Sequence, residues 1–239
     1  HMNDRSEKFR NLLVPVLSVV LGLILGAILM AAFGFQPIQG YSSMLDAALG
    51  SQRGIGETLR QATPLIFTAL GFSVANSAGF FNIGLSGQAL CGWIVSVWVA
   101  LAFPDLPKVV LLPLCVILGA LAGAMAAAVP GLLRAFFGTS EVIVTIMMNY
   151  ILLYVSTFAL HEVMPESYRS SLDSSNMISQ NASLRLPWLT QAFGGSRVNS
   201  GLFLAIIALI FVWLLMKKTT LGFEVRSVGL NPFASEYAG

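Results

Sequence analysis

Apolar runs long enough to cross a lipid bilayer recur along this chain, and no other feature narrows its fold as far. A bilayer core takes about 20 mostly apolar residues per helix. Residues 12–35 form the first such run, and Arg5, Lys8 and Arg10 precede it. The run is too long for the hydrophobic region of an ordinary signal peptide, and no small-residue cleavage site follows cleanly. It reads as a retained span with its N-terminus in the cytoplasm. Residues 63–78, 89–103 (extended back toward Leu85 to gain length), 109–133, 141–160 and 201–216 supply further spans. The expected fold is all-α, a polytopic helical membrane protein of about six transmembrane helices.

Composition agrees. With 56% hydrophobic residues, 10% charged residues and a mean hydropathy of +0.79, the chain cannot clothe itself in a water-facing surface. A net charge of +2 without a dense basic block argues against nucleic acid as a partner. Cys91 and Cys115 both lie in apolar runs, where a thiol behaves as a small buried hydrophobe. His161 stands far from His1, and no His/Cys spacing resembles a metal site, so no metal or other cofactor is expected. His1 and Met2 read as an expression scar and are set aside.

Between the spans, residues 41–62 place Tyr41, Met44, Leu45, Ala48 and Leu49 at helical spacing interrupted by charges, as in a helix lying along the interface. Thr63 and Pro64 make a suitable helix start. Residues 79–88, GFFNIGLSGQ, interrupt two apolar runs with three glycines and several polar groups. Pro104, Asp105 and Pro107 break the chain before the next span, in which Gly119, Gly123 and Ala127 form a small-residue stripe suited to close helix approach. Residues 134–140 read as a short loop and 161–200 as a long serine-rich one; its Asn181-Ala182-Ser183 matches a glycosylation pattern too common to carry weight. With the N-terminus inside, Arg134 and the basic cluster of 217–226 fall in the cytoplasm and the long loop outside. Arg53, Arg60, Arg169, Arg185 and Arg197 then lie outside, in long segments where the charge bias carries least information.

The candidate chemistry is that of transport. No nucleophile, base and orienter triad and no Walker-type phosphate loop is present, so the chain reads as a non-enzyme. Polar groups at membrane depth are costly unless used. Asn76, Ser77, Asn82, Ser86 and Gln88 surround the glycine-rich break, where exposed backbone groups and amides can read an uncharged polar solute. Phe80 and Phe81 offer aromatic faces for a planar base. The same spacing also fits a plain turn whose asparagines are caps. Glu141 and Asn149, eight residues apart, share a helix face. Glu141 suits the positive end of a helix dipole as well as substrate contact, and Asn149 suits an interhelical hydrogen bond as well as the substrate path.

The closing stretch, KKTTLGFEVRSVGLNPFASEYAG, is polar and glycine-punctuated, and suits a short amphipathic helix held against a partner. Together with TPLIFTALGFSVANSAGFFNIGLSGQ (63–88) and PGLLRAFFGTSEVIVTIMMNYI (130–151), its part 219–239 resembles permease subunits of bacterial ATP-binding-cassette importers for nucleosides. These are similar in turn to ribose and branched-chain amino-acid permeases. The resemblance implies a cytoplasmic ATPase on another chain, a second related permease subunit and an extracellular substrate-binding lipoprotein, in a bacterial plasma membrane. It also implies a coupling segment seated in the ATPase, with Arg226, Gly229, Asn231, Pro232, Ala234, Tyr237, Ala238 and Gly239 in that role. The expected organisation is a cytoplasmic N-terminus (1–10), a permease domain (11–216) and a cytoplasmic coupling segment (217–239). Such permeases continue past the YAG sequence with further membrane helices, so the chain is expected to be C-terminally truncated. A ribose-type or branched-chain amino-acid permease, or a non-transporting membrane scaffold, are the alternatives.

Overall fold

The computed structural model describes the chain except for residues 1, 166–168, 172–173, 176, 179–182, 194 and 196–198. The expectations placed on His1, on Asn181-Ala182 and on Arg197 lie outside the described residues. Two compact units emerge, one of residues 1–58 and 190–197, the other of 59–189 and 198–239.

In the first unit, α1 (Met2–Ala32) carries the long apolar run of the N-terminal span. Gly34, at φ 82°, turns the chain into α2 (Pro37–Leu49), whose first position is a proline with no N–H to leave unpaired. The Tyr41 hydroxyl donates to the Leu23 carbonyl at 2.6 Å and ties α2 to α1. Gly50 then ends α2, its N–H bonding the Asp46 carbonyl.

The helix that follows corrects the sequence reading. Residues 41–62 do not form a single interfacial segment, nor does a helix start at Thr63: α3 runs unbroken over Gln52–Ser77 with Pro64 inside it. The proline is accommodated beside hydroxyls that bond back along the helix, Thr63 to the Leu59 carbonyl at 2.9 Å and Thr68 to the Pro64 carbonyl at 2.8 Å.

The second unit is built around α4 (Leu85–Ala102), which packs chiefly on α5 (Lys108–Phe137) and then on α6 (Glu141–Phe158). The α4–α5 seam uses the small-residue stripe as expected. A Cβ on Gly119 would lie 3.2 Å from the Gly92 carbonyl, and one on Gly123 would lie 3.4 Å from that of Gln88. Ser96 donates to the Cys115 carbonyl across the same seam at 3.0 Å. Ala100, Leu111 and Cys115 close one end of it, while Ile94 packs with Leu160 and Met164 beyond α6. The predicted 134–140 loop is shorter than expected, because α5 continues to Phe137 and stops at Gly138 in the left-handed region.

After α6 a π-helical turn (Ala159–Val163) leads to a two-stranded ribbon, β1 (Arg169–Ser171) with β2 (Ser174–Ser175), and a short helix, α7 (Pro187–Ala192). Then come α8 (Gly201–Lys218), α9 (Thr220–Leu230) and α10 (Pro232–Ala238). The terminal stretch is therefore two helices, not one, because Asn231 leaves helical conformation between them.

Among the described residues five helical stretches are long and apolar enough to cross a membrane: Asn3–Ala32, Leu85–Ala102, Lys108–Phe137, Glu141–Val163 and Gly201–Lys218. α3, counted as a sixth crossing from the sequence, is not among them. Its apolar stretch is bracketed by Arg53, Glu57, Arg60 and Gln61 on one side and by Asn76 and Ser77 on the other. The chain is a multi-pass, all-α membrane protein.

Candidate polar site at the helix break

Two helix ends meet at the glycine-rich break. α3 closes on Gly79, at φ 79°, with the Gly79 N–H on the Asn76 carbonyl at 3.0 Å and the Phe80 N–H on the Ala75 carbonyl at 2.9 Å. That pair of bonds satisfies the last carbonyls of a helix and depends on a residue free to take positive φ. The chain then crosses to Gly84, the N-cap of α4, which has no side chain with which to cap.

Asn82 is buried at 7% exposure and holds the turn that leads into α4. Its Oδ1 accepts the Gly84 N–H at 2.9 Å, and its amide pairs head to tail with that of Gln88, each amide nitrogen donating to the other's oxygen at 3.3 Å. An amide nitrogen carries two hydrogens, and this pairing uses one of each.

The rest of the support comes from α6. Asn149 Oδ1 accepts the Gly87 N–H at 3.0 Å while its Nδ2 donates to the Ile83 carbonyl at 2.9 Å. Gly87 is in the first turn of α4, where backbone donors have no partner within the helix. Asn149 thus caps α4 from another helix. One turn earlier the fully buried Thr145 hydroxyl donates back to the Glu141 carbonyl and accepts the Ile83 N–H at 3.3 Å. Glycine is needed for this approach: a Cβ on Gly87 would sit 3.0 Å from Leu152 Cδ1 and 3.2 Å from Asn149 Cα.

The structure brings Asn82, Gln88 and Asn149 together and leaves the other candidates apart. Asn76 and Ser86 are exposed, on the last turn of α3 and the first of α4. Phe80 is half-buried, and Phe81 meets Phe72 of α3 edge to face, with ring centroids 5.2 Å apart. Glu141 takes the local role: it begins α6, where its charge suits the helix dipole, and pairs with Arg134 at 3.5 Å. Sequence reasoning missed Thr145 and Gly87. Thr145 was findable as the residue midway between Glu141 and Asn149 on their shared face, since 141, 145 and 149 are spaced by single turns. The assembled groups are uncharged amides and a hydroxyl, a set that offers hydrogen bonds without proton transfer.

At the C-terminal end of the unit, Thr219 caps α9 by accepting the Gly222 N–H at 3.1 Å. Asn231 caps α10, its Oδ1 accepting the N–H groups of Phe233 and Ala234 at 3.1 Å each, and Pro232 takes the first helical position. Arg226 is half-buried along α9. Ala234, Tyr237 and Gly239 are exposed, Tyr237 at 96%, as are Leu230 and Phe233, while Ala238 is the last residue of α10. Gly229 differs from these, being half-buried against Ser77 and Gly79.

Residues 54–239 match a protein family described as the branched-chain amino acid transport system / permease component. The chain is 52% identical, over 98% of its length, to the nucleoside ABC transporter permease protein NupB of Lactococcus lactis, of which it covers 65%. It is 41% identical over 98% of its length to the guanosine ABC transporter permease protein NupP of Bacillus subtilis, covering 66% of that protein. It is 34% identical over 94% of its length to the glucose ABC transporter permease protein TsgB13 of Haloferax volcanii, covering 60%. The chain thus spans somewhat less than two thirds of the length of these relatives. No solved structure matches it. On the extent of the family match and the identity to these permeases, the chain belongs to the branched-chain amino acid transport system permease family.

Proposed function

We propose that this chain is membrane-spanning permease sequence of an ATP-binding-cassette importer that carries nucleosides into the cell. The observation that carries the reading is the interrupted helix pair with its uncharged polar cluster, Asn82, Gln88 and Asn149, in a chain of this family. Amides and aromatic rings suit a neutral, planar, hydrogen-bonding solute, and they would serve a branched aliphatic amino acid poorly because no charged group among them meets its ammonium or carboxylate. Relatives named for nucleoside and guanosine transport support the same class. Asn76, Phe80, Phe81 and Ser86 flank the cluster and complete the proposed path.

ATP is hydrolysed on a separate cytoplasmic subunit, and a second related permease and an external binding protein complete the importer. In this reading α3 also crosses, making six crossings, so the N-terminus and the coupling segment 217–239 that meets the ATPase both lie in the cytoplasm, and residues 11–216 form the permease body. The exposed Leu230, Phe233 and Tyr237 favour a partner surface there over open water. A sugar importer is the second reading, favoured by the 34% identity to a glucose permease.

Uptake by the complete transporter in proteoliposomes separates the two. ATP-dependent accumulation of labelled guanosine, competed by other nucleosides and not by glucose or ribose, is expected. Sugar accumulation without nucleoside accumulation overturns the nucleoside reading.

A further inference from the structure

We propose that Gly229 is a positioning residue, through which the terminal helices set the geometry of the polar break by direct backbone contact with Ser77 and Gly79. The inference rests on the importer reading for the identity of what drives the motion, and on the contact itself for the path it takes.

The contact has no side chain in it. A Cβ on Gly79 would lie 3.3 Å from Gly229 Cα, and a Cβ on Gly229 would overlap the Ser77 carbonyl oxygen and come within 3.1 Å of the Gly79 nitrogen. Only glycine permits this approach at 229, and Gly79 is held in the left-handed region as well. α9 therefore rests on the Ser77 carbonyl and on the Gly79 nitrogen, which donates one of the bonds that end α3, and a displacement of its C-terminal end loads that turn.

What lies on each side gives the contact a direction. Gly229 stands two residues before Asn231, the cap that joins α9 to the exposed α10. At the α8 end, α9 is pinned by the Thr219 cap and by Gly222, where a Cβ would overlap the Leu215 carbonyl oxygen. Gly229 is the next-to-last residue of α9, so a displacement of α10 reaches it through Leu230 and Asn231 alone. Three residues beyond Gly79 is Asn82, which holds Gly84 and Gln88. The far side of the break is fixed to α6 by Thr145 and Asn149. A segment held on one side and pushed on the other shears, and the Asn82–Gln88 pair lies between the two.

The test reads movement of the break without using a substrate. In the complete transporter, with Cys91 and Cys115 replaced by Ala, the exposed Ser86 is changed to Cys and its rate of modification by a thiol reagent is measured with and without ATP trapped on the ATPase. A nucleotide-dependent change of severalfold is expected, abolished by Gly229→Ala and retained in Gly131→Ala, a glycine with open space around it. Retention of the full change in an assembled Gly229→Ala transporter, or no nucleotide response in the parent, overturns the inference. Should Gly229→Ala fail to assemble, hydrogen exchange in the unsubstituted transporter decides: amides of 79–84 and 227–231 should shift together on nucleotide binding, and a shift confined to 227–231 overturns it. Failure of nucleoside uptake by the unsubstituted transporter, with a normal Ser86→Cys response, removes the substrate assignment and leaves the contact's role standing.

Discussion

Asn149 of α6 serves as the missing cap of α4, accepting the Gly87 N–H at 3.0 Å and donating to the Ile83 carbonyl at 2.9 Å. A helix that begins inside a membrane protein leaves its first N–H groups without water, and here a single amide from a neighbouring helix answers both that donor and an acceptor in the break. The position of the break is thereby a property of the α4–α6 pair and not of the loop alone.

Asn149→Ala leaves one donor and one acceptor unpaired, and a group left so costs about 1–3 kcal/mol. The full transporter should show a lower unfolding temperature in detergent and reduced uptake. Gly87→Ala, which forces a methyl against Asn149 and Leu152, should lower stability by a similar amount, about 1–3 kcal/mol for overpacking.

Thr145→Val keeps the shape of the buried side chain and removes the acceptor for the Ile83 N–H. A loss of about 1–3 kcal/mol is expected. Thr145→Ser should recover most of it, as measured by thermal unfolding of both variants side by side; a larger loss in Thr145→Ser than in Thr145→Val would assign the role to the methyl group.

The Arg134–Glu141 pair is half open to water on the arginine side, so its contribution is small. Glu141→Gln should cost less than about 1 kcal/mol, and the difference from the parent should shrink as salt is raised. A large salt-independent loss would mean that the carboxylate has a function beyond its pairing.

Asn231 and Tyr237 should separate structure from docking. Asn231→Ala removes both N-cap bonds of α10, costing about 0.5–2 kcal/mol locally, and should raise hydrogen exchange in 232–238. Tyr237→Ala, at 96% exposure, should leave stability unchanged and weaken copurification with the ATPase. Unaltered ATPase binding by Tyr237→Ala places the docking surface elsewhere.

The spans could be read from the sequence because continuous apolarity at this length has few structural outcomes, and the Gly119–Gly123 stripe because small residues every fourth position have one packing use. The boundaries within 41–62 were not legible: Gly50 divides the segment between α2 and α3. Gly50 ends α2, and α3 then continues through Pro64 instead of beginning there, which a proline in a membrane-protein helix can allow. Within the site, Asn82, Gln88 and Asn149 were legible as polar groups in apolar surroundings. Their partnership was not, since Gly87 and Asn149 are 62 residues apart and an orphan N–H has no side-chain signature. Gly229 carried the same difficulty: in sequence it is one more glycine of the terminal segment, and only the approach of Ser77 and Gly79 distinguishes it from its neighbours.

The central claim is that the amide pair of the break, held from α6, meets the solute. Gln88 is the sharper probe of the two, because the more deeply buried Asn82 also holds the Gly84 turn and its loss would disturb stability and uptake together. The decisive measurement is the concentration dependence of nucleoside uptake by the complete transporter carrying Gln88→Ala. The account predicts a KM for permeation raised about tenfold, as for one lost hydrogen bond to a polar solute, alongside a stability loss of about 1–3 kcal/mol because the buried Asn82 amide loses its partner. Uptake kinetics indistinguishable from the parent's would contradict it.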